Sequence, residues 1–191
     1  TGADAIVVNA AGCGSTMKTW GELLADDPAW APRAAQLAGR VVDVAELLAR
    51  LGPVAPRQPL PLRVAYHDAC HLAHAQGVRA QPRALLAAIP GLTLVEVGDD
   101  ACCGSAGVYN LLEPATARAL GAAKLARLTA LAADVVASAN PGCSLQLAAA
   151  ARAAGVPLAT AHTIELLDAS IRGAPLAALA DRARRPATLR R

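Results

Sequence analysis

The chain has no phenylalanine, and aromatic residues make up only 2% of it, as two Trp and two Tyr. A core without aromatic bulk must be filled by small aliphatic side chains, which favours closely packed helices and short buried strands. The same shortage removes the stacking platforms of single-strand nucleic-acid binding, so no nucleic-acid partner is expected. No charge-free apolar run is long enough to cross a bilayer as a helix, and no basic-then-apolar leader opens the chain. Five cysteines are present. That number is odd, and the spacing matches no disulfide framework, so a cytoplasmic setting with free thiols is expected. A Cys-x-x-Cys-x-x-Cys run, a phosphate-binding loop, a dinucleotide fingerprint and a Ser-His-Asp pattern are all missing. Gly12-Cys13-Gly14-Ser15-Thr16 is too short to serve as a phosphate cradle.

The 191 residues suit one domain or two small ones, and 54% are hydrophobic, mostly Ala and Leu. The net charge of +3 comes from a crowd of C-terminal arginines at 182, 184, 185, 190 and 191. Residues 173–191 read as a solvated Arg-rich tail. Upstream, strand patterns at 5–9, 63–67, 92–97 and 134–139 alternate with helical patterns at 13–24, 31–37, 44–51, 81–89, 113–132 and 144–154. This alternation predicts an α/β fold with mostly parallel sheets and flanking helices. Four prolines between residues 52 and 61 mark a linker.

Two stretches repeat. Asp4–Cys13, DAIVVNAAGC, and Asp134–Cys143, DVVASANPGC, each run from Asp through a strand to Gly-Cys. Downstream of them lie Val44-Ala45-Glu46-Leu47-Leu48 and Thr163-Ile164-Glu165-Leu166-Leu167. The ordered match predicts two pseudo-repeated halves offset by about 130 residues. Residues 62–172 would form a complete copy and residues 1–61 the end of an incomplete one plus the linker. Thr1-Gly2-Ala3-Asp4 leads straight into a strand, so the missing start is expected upstream in a longer chain.

In the complete copy, Cys70, the adjacent pair Cys102 and Cys103, and Cys143 each fall at or just after the end of a predicted strand. Ligands of open α/β sheets bind at that edge. Adjacent cysteines rarely bond to each other, because the ring across one peptide is strained. Converging thiolates are typical ligands of zinc or iron–sulfur clusters, and consecutive thiolates reach two irons of one cluster more readily than one small ion. Gly104, Gly107 and Gly142 would let the backbone approach such a centre and offer it N–H groups. Helix starts after Cys103 and Cys143 would favour the thiolates. The plainer alternative is four free cysteines packed as small apolar residues. Cys13 reads equally as an inert thiol or a ligand.

The order Cys70, about 31 residues, Cys102-Cys103-Gly104, about 40 residues, Pro141-Gly142-Cys143 resembles the cysteine-rich CCG domain. That domain occurs in heterodisulfide reductase, in anaerobic glycerol-3-phosphate dehydrogenase and in the iron–sulfur subunit of glycolate oxidase. The stretches YHDACHLAHAQGVRAQPRALL, CCGSAGVYNLLEP and ANPGCSLQL are most similar to the last of these. The resemblance runs from about Asp4 to Arg172. It implies an electron-transfer module of a glycolate or similar 2-hydroxy acid oxidase complex. Electrons would come from a flavin-containing partner subunit, and any membrane association would be peripheral, through the complex.

By resemblance, Cys70, Cys102, Cys103 and Cys143 hold the metal, with Cys13 belonging to the incomplete repeat. Where heterodisulfide reductase has a last Cys-x-x-Cys, this chain has Cys143-Ser144-Leu145-Gln146. This departure points to an ordinary four-iron, four-sulfide cluster, or to a zinc ion held by three or four thiols. A structural zinc domain and a catalytic site that reduces a disulfide are the competing readings.

His67 and His71 flank Cys70. They read as core packing and backbone capping, or as hydrogen-bonding partners of the centre, or as ligands if it is zinc. His74, Gln76, Tyr109 and Asn110 lie on the same loops. Asp68 reads as a cap, and Arg79 and Arg83 as solvated charges or carboxylate binders.

Overall fold

A computed structural model describes residues 2–52, 55–98 and 100–174. The segment 173–191 therefore lies mostly outside the described residues, as do Pro53 in the linker and Asp99 beside the double cysteine. Among the described residues the fold is α/β, with two parallel sheets flanked by helices.

The larger sheet contains β3 (Arg63–Tyr66), β4 (Thr93–Glu96), β5 (Val135–Ala137) and β6 (Thr160–Ala161). Its strand order is β4-β3-β5-β6, and every pairing is parallel. Parallel neighbours need crossovers, and helices supply them: α5 (Ala80–Ala87), α7 (Pro114–Ala130) and α8 (Pro141–Ala154), with α9 (Thr163–Arg172) after β6.

Side chains alternate across the strands, so Val64, Tyr66, Val135 and Ala137 face one side. There they pack with Leu85, Leu86 and Ile89 from the α5 region and Leu166 and Leu167 of α9. Ala65 and Val136 face the other side, with Leu128 of α7 and Leu147 of α8. Both faces are covered, which explains why these strands read as continuous apolar runs. Each fully buried Leu or Val side chain contributes about 1.5–3 kcal/mol. Cys103 and Cys143 belong to the second cluster, at its edge by the strand ends.

The smaller sheet pairs β1 (Ile6–Val8) with β2 (Val41–Asp43) in parallel. Between them run α1 (Ala11–Lys18), α2 (Trp20–Leu23) and α3 (Ala31–Ala38), and β2 passes directly into α4 (Val44–Leu51). The single helix expected over 13–24 is broken at Thr19, whose hydroxyl and N–H both bond the Thr16 carbonyl. β2 and β6 are three and two residues long. Such brief strands leave no alternating pattern in the sequence.

Residues 57–60 of the proline-rich connection are docked against the larger sheet's helices and loops. Leu60 is buried and donates its N–H to the Pro90 carbonyl at 2.8 Å. Gln58 exchanges two bonds with Ser170, and Arg57 donates to the Leu85 carbonyl at 2.8 Å. Among the described residues, no helix is long and apolar enough to cross a membrane.

Candidate metal centre

Three loops at the C-terminal ends of adjacent strands carry the cysteines. β3 ends at Tyr66 and runs through His67-Asp68-Ala69 to Cys70, which opens a π-helical segment, His71–Ala75. β4 leads into the loop bearing Cys102 and Cys103. β5 leads into α8, whose helical pattern begins three residues before the expected Ser144, so Cys143 sits inside its first turn. The order β4-β3-β5 thus gathers all four thiols along one sheet edge, where parallel sheets bind ligands.

The donors meet in two overlapping groups. Ligand atoms of His67, Cys103 and Cys143 lie within 4.8 Å of one another, and all three residues are buried. Cys70 lies beside Cys102: burial raises its pKa first, and the neighbouring Cys102 charge raises it further. The Cys103 thiol is brought down to about 4 by the Cys143 S–H; burial opposes this, and His67 and the Ser105 N–H assist. Sharing a proton with Cys103 pushes Cys143 far up, with burial adding to the effect. The protein alone therefore holds Cys103 ionised more readily than Cys143 or Cys70. A multiply charged cationic centre would allow all four to be thiolates together. The set of four sulfurs and one imidazole fits zinc or an iron–sulfur cluster.

Polar groups approach the sulfurs. The Gly104 N–H donates to Cys102 Sγ at 3.3 Å. The Asn140 amide donates to Cys143 Sγ at 3.4 Å, and His71 Nδ1 is 3.5 Å from Cys70 Sγ. Such bonds stabilise thiolates and tune a bound metal. The turn after the double cysteine takes left-handed backbone at Gly104 (φ 87°), Ala106 (φ 33°) and Gly107 (φ 64°). A Cβ at Gly104 would stand 2.5 Å from the Ala117 carbonyl oxygen of α7, and one at Gly142 would stand 2.8 Å from Ser105 Oγ. The close approach at Gly104 is therefore to α7, while Gly107 faces open space. The helix start expected directly after Cys103 is displaced: a turn follows, then the short α6 (Tyr109–Leu112), where Tyr109 and Asn110 lie half-buried.

Arg79 and Arg83 are both engaged in ion pairs. Arg83 donates to Glu96 at 2.8 and 2.7 Å, and to Asp68 at 3.0 Å through Nη1. Its guanidinium lies 4.8 Å from the centroid of the Tyr66 ring. Arg79 bonds Asp100 at 3.2 Å and His74 at 3.0 Å. One turn apart on or just before α5, these two arginines tie the loop of Cys70 to the loop of Cys102. Asp68 thus serves Arg83 and not as a cap; the residue at the cap position is Cys70, without a side-chain bond. The i, i+4 spacing of the arginines was the available signal, but the carboxylates they bridge are remote in sequence.

Gln146 is turned from the sulfurs and donates to the Ala117 carbonyl at 3.0 Å. Gln76 donates to the Ala11 carbonyl at 2.9 Å and so joins the Cys70 loop to α1. Cys13 does not join the four thiols. It is exposed and lines a cavity of about 620 Å³ together with Met17, Trp20, His71, Ser105 and Asn140.

Residues 64–148 match the family model described as the cysteine-rich domain CCG. The chain is 37% identical over 147 residues to the probable glycolate oxidase iron-sulfur subunit of Bacillus subtilis, covering 75% of this chain and 33% of that protein. It is 35% identical over 175 residues to the glycolate oxidase iron-sulfur subunit of Escherichia coli, covering 89% and 40% respectively. The uncharacterized protein YkgE of Escherichia coli is 30% identical over 166 residues, covering 86% of this chain and 70% of that protein. The chain thus spans well under half the length of the two glycolate oxidase subunits it matches.

Proposed function

The chain belongs to the cysteine-rich CCG domain family, and from that premise we propose that it is an electron-transfer module whose Cys70, Cys102, Cys103 and Cys143 hold an iron–sulfur cluster. The convergence of four sulfurs from three loops on one sheet edge carries this reading. When bound, the cluster supplies reversible one-electron storage. The protein's own residues hold the four sulfurs in place, keep bulk water from Cys103 and Cys143, and donate hydrogen bonds to sulfur from Gly104 and Asn140.

Two relatives are named as glycolate oxidase iron-sulfur subunits. By that likeness, the electrons come from a flavin-bearing subunit that oxidises glycolate or a similar 2-hydroxy acid. With four cysteines available and Gln146 tied to α7, a four-iron, four-sulfide cluster is the form proposed. Residues 62–172 are the unit that builds the site, and His71 modulates it through the Cys70 sulfur. The test is the visible spectrum of protein purified without oxygen. A broad band that bleaches on reduction and returns on reoxidation is expected, and a colourless protein contradicts the proposal.

A structural zinc site is the second reading. The observation in its favour is the compact His67, Cys103, Cys143 trio, which suits a single ion.

A further inference from the structure

Asn140 stands at the N-cap of α8, and an asparagine there ordinarily accepts a hydrogen bond from the second or third N–H of its own helix. Its side chain makes no such bond. Only its backbone carbonyl serves α8, accepting from the Ser144 N–H at 3.2 Å. The side chain turns instead to the other half of the chain, where Oδ1 accepts the Gly12 N–H at 3.5 Å. Gly12 is the second residue of α1. Asn140 therefore gives α1 the cap that it withholds from α8.

Helix α1 has no such cap of its own. The first four N–H groups of a helix lack intrahelical partners, and the residue at its N-cap is Ala10, whose side chain accepts nothing. Ala10 and Asn140 hold equivalent places in the two copies, AAGC and NPGC. Their backbones are both extended, at φ -132°, ψ 106° and φ -135°, ψ 114°. Of the two equivalent turns, only the second carries an amide.

The bond to Gly12 decides which end of that amide meets the sulfur. Only Oδ1 can accept an N–H, so Nδ2, the donor, is left on the branch facing Cys143 Sγ, at 3.4 Å. Glycines on both sides give the amide its room: a Cβ at Gly12 would lie 3.8 Å from Oδ1, and one at Gly142 would lie 3.5 Å from Nδ2. A hydrogen bond to sulfur strengthens as negative charge on the centre grows, so it favours the reduced state and raises the reduction potential.

Resting on the reading of the site as an iron–sulfur centre, we infer that Asn140 is a positioning residue held by one half of the chain and acting on the other. The Gly12 N–H fixes its oxygen, and its amide N–H, thereby aimed at Cys143, raises the potential of the centre. The first half acts on the centre through this amide without contributing a thiol.

The experiment compares the unsubstituted protein with Asn140→Ala and Asn140→Asp, each purified without oxygen, by iron content, midpoint potential and urea denaturation. A companion measurement labels the asparagine side-chain amides with ¹⁵N and records pulsed electron paramagnetic resonance in the paramagnetic redox state. Asn140→Ala is expected to keep its iron, to unfold at lower urea and to show a lower midpoint potential. Asn140→Asp keeps an oxygen to cap α1 but has no N–H to give. Its urea midpoint should stay near that of the unsubstituted protein while its midpoint potential falls. The weak ¹⁵N coupling of an amide hydrogen-bonded to a cluster sulfur should appear in the unsubstituted protein and vanish in Asn140→Asp. A purely structural cap would move the urea curve alone. An unchanged potential in Asn140→Ala, or no ¹⁵N coupling in iron-loaded protein, therefore overturns this inference and leaves the electron-transfer proposal standing. A urea midpoint that falls as far in Asn140→Asp as in Asn140→Ala overturns the cap on α1, and the inference with it. If Asn140→Ala fails to fold, the ¹⁵N coupling and its loss in Asn140→Asp still decide. Absence of iron from the unsubstituted protein overturns the electron-transfer proposal and this inference together.

Discussion

The backbone N–H of Ala11 donates to the carbonyl of Ala139 at 3.1 Å, joining the start of α1 to the loop that opens α8. The Asn140 side chain spans the same junction, accepting from the Gly12 N–H and donating to Cys143 Sγ. Gly12-Cys13 and Gly142-Cys143 occupy the same positions in the first turns of their helices. Each helix is preceded by a strand with a parallel neighbour, β2 or β6, that leads into a capped helix. Asp43 with Glu46, and His162 with Glu165, form the two capping boxes. These matched features support reading the two segments as copies of one unit.

Removing single thiols is expected to separate the four converging cysteines from Cys13. Cys103→Ser should abolish or strongly deplete bound metal, because the Cys103 sulfur lies buried within 4.8 Å of the Cys143 sulfur and of a ring nitrogen of His67. Cys13→Ser should leave the metal content unchanged, since that exposed thiol lies across the cavity. Metal analysis of the two variants side by side checks this.

The turn after the double cysteine should be sensitive at Gly104 and improvable at Ala106. Gly104→Ala combines a left-handed backbone with a backbone clash against Ala117, so a loss of about 2 kcal/mol or more is expected. Ala106→Gly relieves a left-handed backbone at a residue with a Cβ and should add roughly 0.5–1 kcal/mol. Urea denaturation of both variants reads the two signs.

The arginine bridge predicts unequal effects along α5. Arg83→Met leaves the largely buried Asp68 carboxylate without its partner and should cost about 2 kcal/mol, less than a fully buried pair because Arg83 is partly exposed. Arg83→Lys should recover only part of this, since an ammonium cannot reproduce the forked contact to Glu96. Arg79→Met should have little effect, as its pair with Asp100 is solvent-exposed. Chemical denaturation curves rank the three.

Glu46 gives a pH signature. Burial raises its pKa, but the Lys18 ammonium and the Asp43 N–H outweigh burial and hold it below the ordinary 4.5. A carboxylate with a depressed folded pKa stabilises fully above its unfolded value, and the benefit is lost as pH falls through the folded one. Lys18→Met should therefore cost about 1 kcal/mol at neutral pH, and the gap should close as the solution is acidified below that ordinary value. Stability of both proteins across pH 3–7 checks the direction.

Metal removal should lower thermal stability, because a ligand bound only to the folded chain stabilises it by mass action. Chelator-treated protein is expected to melt earlier than loaded protein, and restoring the metal should restore the melting temperature.

The parts of the site legible in the sequence were those that local patterns encode. Strand patterns at 63–67, 92–97 and 134–139 placed the cysteines on one edge, because parallel strands with both faces buried read as apolar runs. The repeated Glu-Leu-Leu was visible as a motif, but its physical meaning emerged only as the closing residue of two capping boxes. The short strands Val41–Asp43 and Thr160–Ala161 were illegible, since pairing with β1 and β5, not composition, defines them. The bridge from Arg83 to Asp68 and Glu96, and the meeting of His67 with Cys103 and Cys143, depend on residues that come together only after folding.

The central claim is that Cys70, Cys102, Cys103 and Cys143 hold an iron–sulfur cluster. Its most direct test is to count iron, acid-labile sulfide and zinc per chain in protein purified without oxygen. The account predicts iron and sulfide in equal amounts with little zinc, both falling together in Cys103→Ser. One zinc per chain with no sulfide would contradict it and leave the site a structural one.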